Sequence, residues 1–436
     1  MRLNRNIQAL LISQRPVGLF IRISSVALLL SLTVLTVRLM GPTEFGKYTY
    51  VYSWLMLLSG LSRGGLANTV IREVSILNPK TETGLIKGLL LRAWQYTLLS
   101  AVFVCLSIVI FCIFSGYSFS AQSVKLITVG SLLIPLNGCL GTLEAVVRGR
   151  GWVLIGQVGE FVIKPAVTLV ILIFLFWVIK KSPIPSEWAM AAAVLASATS
   201  VLFAYIYYRK SMTAKLDHLP AFDTPRWVRG LMSISLVIWI ATVNSYTNIL
   251  MLGAMFEPTF VAQFQLVTQM TTLISLGLVA VNAIQATEFS QKFSRGDIAG
   301  LQLMAQHSIV SSLAVAMPLF LIFAIAGQDI VNFFFGSGFS GLSLSFLLLG
   351  LGQLISASTG SVATLLYATH NEREVVWAIT GATIVNFTFC ILLIPNHGVV
   401  GASVASSVSL AFWNLFLVWR AHRCLGIWCL PLRLKI

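Results

Sequence analysis

Arg22, Arg63, Glu144, Glu160, Lys164 and Glu288 are the residues of this chain whose setting makes their charge informative, because each lies inside or at the end of a long apolar run. An ionised side chain at the centre of a membrane-crossing helix costs about 3 kcal/mol on insertion scales, so it faces a partner, water or a ligand rather than lipid. Lys164 stands about 16 Å beyond Val153 at the helical rise, close to the middle of its run. Glu160 precedes it by one turn on the same face, where i, i+4 side chains meet. Two readings of the pair stay open: mutual neutralisation that fastens the helix to a neighbour, or the lining of a polar cavity. Pro165 follows Lys164 directly. It removes a backbone donor and disfavours helix at the preceding residue, which predicts a bend beside the ammonium.

Arg63 precedes the pair Gly64-Gly65 and has no acidic neighbour on its own helix. A planar guanidinium without a local partner suits phosphate oxygens; a cross-helix salt bridge to Glu144 or Glu160 is the alternative. Arg22 lies about two turns from the end of its run, so it reaches either the headgroups or an internal passage. Glu144 with Arg148, also i, i+4, and Glu288 fall at helix ends, where a cap, a gate or proton coupling is the expected role. The second half of the chain offers amides instead, among them Asn244, Asn248, Asn282, Asn386 and Gln269. These suit sugar hydroxyls, and they suit interhelical contacts equally well. The expected substrate-binding set is therefore Arg22, Arg63, Lys164, Asn244 and Asn248, and the expected coupling or gating set is Glu144, Glu160, Arg148 and Glu288.

The elements that must position these residues are helices. Of 436 residues, 57% are hydrophobic and only 10% charged, with mean hydropathy +0.89, against about 25% charged in soluble domains. Apolar windows of about 20 residues, enough to cross the hydrocarbon core, recur at 17–37, 47–71, 93–115, 124–147, 153–178, 188–208, 230–252, 259–287, 306–326, 342–369, 375–394 and 399–419. The expectation is an all-α polytopic membrane protein of about twelve helices in two six-helix lobes around a central cavity. The longest polar connection, with Pro220 and Pro225, divides the chain into a first lobe at 1–210, a linker at 211–229 and a second lobe with a short basic tail at 230–436. With six spans each, the halves share an orientation and read as parallel repeats.

The net charge of +15 raises the question of nucleic acid, but its distribution answers it. With the N-terminus in the cytosol, only Arg38, Lys47, Lys125, Lys180 and Lys181 fall in outer loops. Most other Lys and Arg, including Arg72, Arg148, Arg150, Arg209, Arg226 and Arg423, flank the inner ends, as the positive-inside rule requires. Both termini are then cytosolic, and no nucleic-acid partner is expected. Residues 1–15, with Arg2, Arg5 and Arg15 around Leu10, Leu11 and Ile12, read as an amphipathic lead rather than a cleaved signal. The cysteines, four in spans and two (Cys424 and Cys429) in the tail, have no disulfide or metal spacing. No nucleophile-base pair and no phosphate-cradling loop is evident, so neither enzymatic activity nor a cofactor is expected.

Four stretches are similar to the polysaccharide-export flippases of the multidrug/oligosaccharidyl-lipid/polysaccharide superfamily, O-antigen translocases included. They are Leu39-Met40-Gly41-Pro42-Thr43-Glu44-Phe45-Gly46-Lys47-Tyr48; the glycine-rich run ending in Ile71-Arg72-Glu73; Arg148-Gly149-Arg150-Gly151; and Asn386 through Ile394-Pro395-Asn396-His397-Gly398-Val399-Val400-Gly401-Ala402. The resemblance covers essentially the whole chain. It implies alternating access by two lobes, with a polyprenyl-pyrophosphate-linked oligosaccharide and membrane lipids as partners, in the bacterial inner membrane, for export of O-antigen, capsule or exopolysaccharide. It leaves room for a polymerase and a chain-length regulator, although no residue here points to either. A drug or metabolite antiporter of the same superfamily is the nearest rival, and it would concentrate acidic groups where this chain has bases. A membrane-embedded polysaccharide polymerase or ligase would need a sizeable outer loop, whereas loops such as 253–259 and 395–398 are short. Single cysteines placed beside Arg150 and at residue 256 test the topology: only the second is expected to react with an impermeant thiol reagent added outside, and the reverse pattern would invert the orientation.

Overall fold

The computed structural model describes residues 2–77, 83–114, 121–179, 183–211, 219–336 and 338–429, with side chains from residue 24 onward at most of these positions. Among them every regular element is helical. The side chains of Arg22 and of the basic lead, and the tail beyond residue 429, lie outside the described set. Among the described residues, nine helices are long and apolar enough to cross a membrane, or ten when a pair bent by 42° counts as one span. The chain is a multi-pass membrane protein.

The count differs from twelve for a local reason. The first helix, α1 (Arg2–Arg63), passes through Gly41 at φ 73° and ψ 171°, and the last, α15 (Glu372–Leu425), through Gly398 at φ 50° and ψ −122°. Positive φ is cheap only for glycine, so the chain turns there and resumes helix at once. The resulting apolar runs are 53 and 54 residues, more than twice the length of about 20 that a crossing needs. One takes in most of the expected segment 17–37 and all of 47–71, the other 375–394 and 399–419. Between them come α2 (Leu66–Ile76), α3 (Thr83–Phe114), α4 (Ala121–Ser131), α5 (Leu133–Gly149), the short α6 (Ile155–Val158), α7 (Lys164–Ile179) and α8 (Ser186–Ser211). Then follow α9 (Thr224–Met255), α10 (Pro258–Thr271), α11 (Leu276–Ser294), α12 (Ile298–Phe335), α13 (Ser343–Ser358) and α14 (Val362–Ala368).

The chain divides into two compact units, residues 1–242 and 243–436. The division falls inside α9, downstream of the proline-bearing connection at 211–229, of which residues 212–218 lie outside the described set. The first half of α9 packs within unit 1 because three glycines make room for it. A Cβ on Gly60 would stand 2.7 Å from Thr242, one on Gly64 would stand 2.6 Å from Ser235, and one on Gly65 would stand 2.8 Å from Ile234. Close backbone approach then permits hydrogen bonds, from the Gly65 amide to Ser235 Oγ (2.8 Å) and from Trp239 Nε1 to the Leu61 carbonyl (2.9 Å). The buried Glu73 carboxylate takes Arg72 and Arg226 at 3.0 and 2.9 Å, and the Ala221 amide donates to the Gly84 carbonyl.

In unit 2, α13 lies between α12 and α15, with Phe323 and Phe346 stacked at 6.0 Å. The segment after α15 is fastened by a reciprocal pair of hydrogen bonds between the Gln302 amide and the Trp428 backbone, at 2.8 and 2.7 Å. Around both units large apolar residues point outward, Phe103 at 71% and Ile325 at 83% exposed, as a hydrocarbon solvent allows. Gly65→Val is expected to lower stability by about 1–3 kcal/mol, the usual cost of overpacking, read as a lower melting temperature of the detergent-solubilised protein. An unchanged melting temperature would show that α9 does not rest on this glycine.

Candidate functional site

Asn137, Gly141, Glu144 and Arg148 recur along α5 at spacings of four, three and four, which places them on one face of the helix. Against that face lie the end of α1 and the run from α6 to α7. Glu144 is only 2% exposed, and its Oε1 accepts the backbone N–H of Glu160 at 3.0 Å. Two glycines permit the approach: a Cβ on Gly159 would stand 2.6 Å from that carboxylate oxygen, and one on Gly156 would stand 2.5 Å from Arg148 Cγ.

Residues Gly159–Ile163 form a π-helical turn, closed by the Lys164 amide on the Gly159 carbonyl. Single π turns inside helices recur at functional sites. Here Pro165 lacks the N–H that would enforce α register one turn back. The bend expected beside Lys164 is therefore a widened turn just before it. The i, i+4 spacing does not make an ion pair here, although Glu160 stays within electrostatic reach of Lys164. Among the described residues no ion pair joins them, and the Glu160 side chain is exposed. Lys164 instead donates from Nζ to Asn137 Oδ1 at 2.9 Å, while Asn137 Nδ2 donates to Met56 Sδ at 3.7 Å. A neutral amide thus holds the ammonium and leaves its charge in place.

Arg63 ends α1 just above the gap left by Gly141, where a Cβ would stand 3.6 Å from its Cδ. Neither expected cross-helix salt bridge forms: among the described residues Arg63 makes no ion pair or hydrogen bond. It nevertheless lies within electrostatic reach of Glu144, Lys164 and Tyr52, and Glu160 acts on the same three groups. Arg148 acts on Glu144 without bonding to it, and its buried Nε has no partner. Unit 1 thus brings Arg63, Glu144, Arg148, Glu160 and Lys164 into one cluster. Arg22 lies on α1 with its side chain outside the described set.

Glu288 belongs to unit 2, partly buried on α11. Asn244 and Asn248 also lie in unit 2, on α9 opposite α15. Asn386 Nδ2 donates to Asn244 Oδ1 at 3.1 Å, and Cys390 Sγ donates to Asn248 Oδ1 at 2.8 Å. The three asparagines open on a cavity of about 420 Å³.

Sequence reasoning missed Asn137 as the Lys164 acceptor and Gly156 and Gly159 as the close-packing face. Each had a signal: Asn137 is seven residues before Glu144, and the two glycines are three apart, a spacing that puts them on one helix face.

A family model described as polysaccharide biosynthesis protein matches residues 21–285, the larger part of the chain. The chain belongs to that family. The probable low-salt glycan biosynthesis flippase Agl15 of Haloferax volcanii is 22% identical over 193 residues, 44% of this chain and 41% of that protein, so the match spans well under half of the relative's length. Among solved structures, the lipid II flippase MurJ in an inward closed conformation aligns with TM-score 0.73 at 14% identity, covering 93% of this chain and 87% of MurJ. An inward-facing multidrug resistance MATE family transporter of the MOP superfamily aligns with TM-score 0.71 at 10% identity, covering 94% and 98%. At such identities the likeness is one of fold.

The Lys164 contact is testable by a double-mutant cycle. Asn137→Leu alone should cost about 1.5–3 kcal/mol, the range for hydrogen bonds to charged groups, and much less in a Lys164→Met background. Thermal denaturation of the solubilised variants measures both costs; equal costs in the two backgrounds would show no coupling.

Proposed function

We propose that this chain is a flippase that carries polyprenyl-pyrophosphate-linked oligosaccharide units across the bacterial cytoplasmic membrane for surface polysaccharide, acting as a transporter and not as an enzyme. The observation that carries the reading is Arg63, a guanidinium at the end of an apolar helix with no ion pair among the described residues, in one cluster with Lys164, whose only side-chain partner is an amide. A pyrophosphate entering hydrocarbon needs positive charge waiting for it, and an arginine fork binds its oxygens in pairs. Family membership supports the glycan side of the proposal, and Agl15 is by its own description a glycan biosynthesis flippase.

Alternating access then exposes the cluster to one side of the membrane and the other, while the polyprenyl tail stays in the bilayer. Glu144 and Glu160 are the candidates for coupling the cycle to protons, since both act electrostatically on Lys164. The antiporter reading is disfavoured by the same residues: in this cluster three bases, Arg63, Arg148 and Lys164, outnumber the two acids, Glu144 and Glu160.

In vesicles reconstituted with the full chain, Arg63→Ala and Lys164→Ala should each slow transbilayer movement of a polyprenyl-pyrophosphate-linked sugar at least tenfold, with insertion and melting temperature retained. Arg63→Lys should recover part of the rate. Wild-type transport by both alanine variants would overturn the assignment.

A further inference from the structure

The cavity in unit 2 differs in chemistry from the cluster in unit 1. Asn244, Asn248, Gln265, Thr268 and Ser406 stand in its wall among apolar side chains such as Ile249, Phe264 and Trp413, and the lining contains no Asp, Glu, Lys, Arg or His. Its volume of about 420 Å³ falls within the range of about 300–1,000 Å³ that small-molecule sites occupy. Several of its polar groups are left over once the protein's own bonds are counted. Asn244 and Asn248 spend their carbonyl oxygens on Asn386 and Cys390, and among the described residues their Nδ2 groups donate to nothing. Neither the Gln265 amide nor the Ser406 hydroxyl has a hydrogen bond, and the Thr268 hydroxyl is buried without a partner.

Those leftovers define the ligand by exclusion. An ionised group placed here would lose its hydration with no counter-charge to replace it. An apolar group would bury the amide donors and hydroxyls unpaired, at the full desolvation cost of each. What remains is an uncharged molecule carrying both donors and acceptors, with one apolar face for the Trp413 ring. A pyranose meets each of those conditions.

We infer that the unit 2 cavity is a subsite for an uncharged sugar residue, with Gln265, Asn244, Asn248 and Ser406 as its hydrogen-bonding wall. The inference rests on the flippase reading and deepens it. The sugar end of the substrate is recognised by neutral groups of unit 2, and the pyrophosphate by the bases of unit 1. Gln265 is the residue of choice for the test, because it is bonded to no other side chain and its replacement removes no contact that holds the fold.

The full chain in lipid nanodiscs would be titrated with polyprenyl pyrophosphate bare and bearing a single N-acetylglucosamine, galactose, glucose or rhamnose. Wild type is expected to bind at least one sugar-bearing lipid about tenfold more tightly than the bare lipid, equivalent to the loss of one or two hydrogen bonds in its absence. Gln265→Leu and Ser406→Val should erode that preference while leaving affinity for the bare lipid unchanged, and Gln265→Asn should retain part of it. Arg63→Ala should weaken binding of all the lipids alike. Equal binding of bare and sugar-bearing lipids by wild type, or an intact preference in both Gln265→Leu and Ser406→Val, would overturn the subsite and leave the pyrophosphate reading standing. No binding of any of the lipids would defeat the flippase reading, and the subsite with it.

Discussion

A polar or charged group taken into hydrocarbon has no water to fall back on, and the architecture of this protein follows from that constraint. Backbone groups satisfy it within helices, which are the regular elements among the described residues. Side chains satisfy it by finding one another: Glu144 takes the Glu160 amide, Lys164 takes Asn137, and Glu73 takes two arginines. Seen in this light, the groups that do not satisfy it are the informative ones. Arg63 and the Nε of Arg148 in unit 1, and Gln265, Thr268 and Ser406 in unit 2, are among the places where the protein leaves polar capacity unspent.

Glycine governs how closely the helices can meet. Gly156 and Gly159 allow α6 and the π turn to lie against the Glu144 and Arg148 face of α5, and Gly141 leaves the gap beside Arg63. Gly60, Gly64 and Gly65 seat the first half of α9. In water such approaches would be driven by burial of apolar surface. In lipid that drive is absent, and close packing with interhelical hydrogen bonds must take its place. The Gly65 amide bonding to Ser235 Oγ illustrates the coupling of the two, since a side chain at Gly65 would close off both.

The two units have different chemistry, and both kinds suit one amphiphilic substrate. The unit 1 cluster concentrates fixed charge with bases in excess, whereas unit 2 has a cavity where uncharged amides and hydroxyls stand among apolar side chains. Under the proposed function, the diphosphate belongs to the first and the glycan to the second. Because Arg63 and Lys164 make no ion pair among the described residues, and the cluster's bases outnumber its acids, a positive field remains there, which is what attraction of an anionic headgroup requires.

Much was legible from residue types alone. Apolar runs of crossing length fixed the helical membrane class, because no other solvent tolerates them. The cost of burying charge singled out Arg63, Glu144, Glu160 and Lys164 before any contact was known, and Pro165 announced the irregular turn. Tertiary structure alone decided the pairings. Sequence spacing placed Glu160 and Lys164 one turn apart, yet the Lys164 ammonium bonds Asn137 on another helix, with a π turn at Gly159–Ile163 just before it. The same holds for Arg63, whose lack of a salt bridge depends on distances between helices far apart in sequence. Linear order carries which groups must be satisfied, but only the packed bundle fixes which partner lies within about 3 Å, the reach of a hydrogen bond.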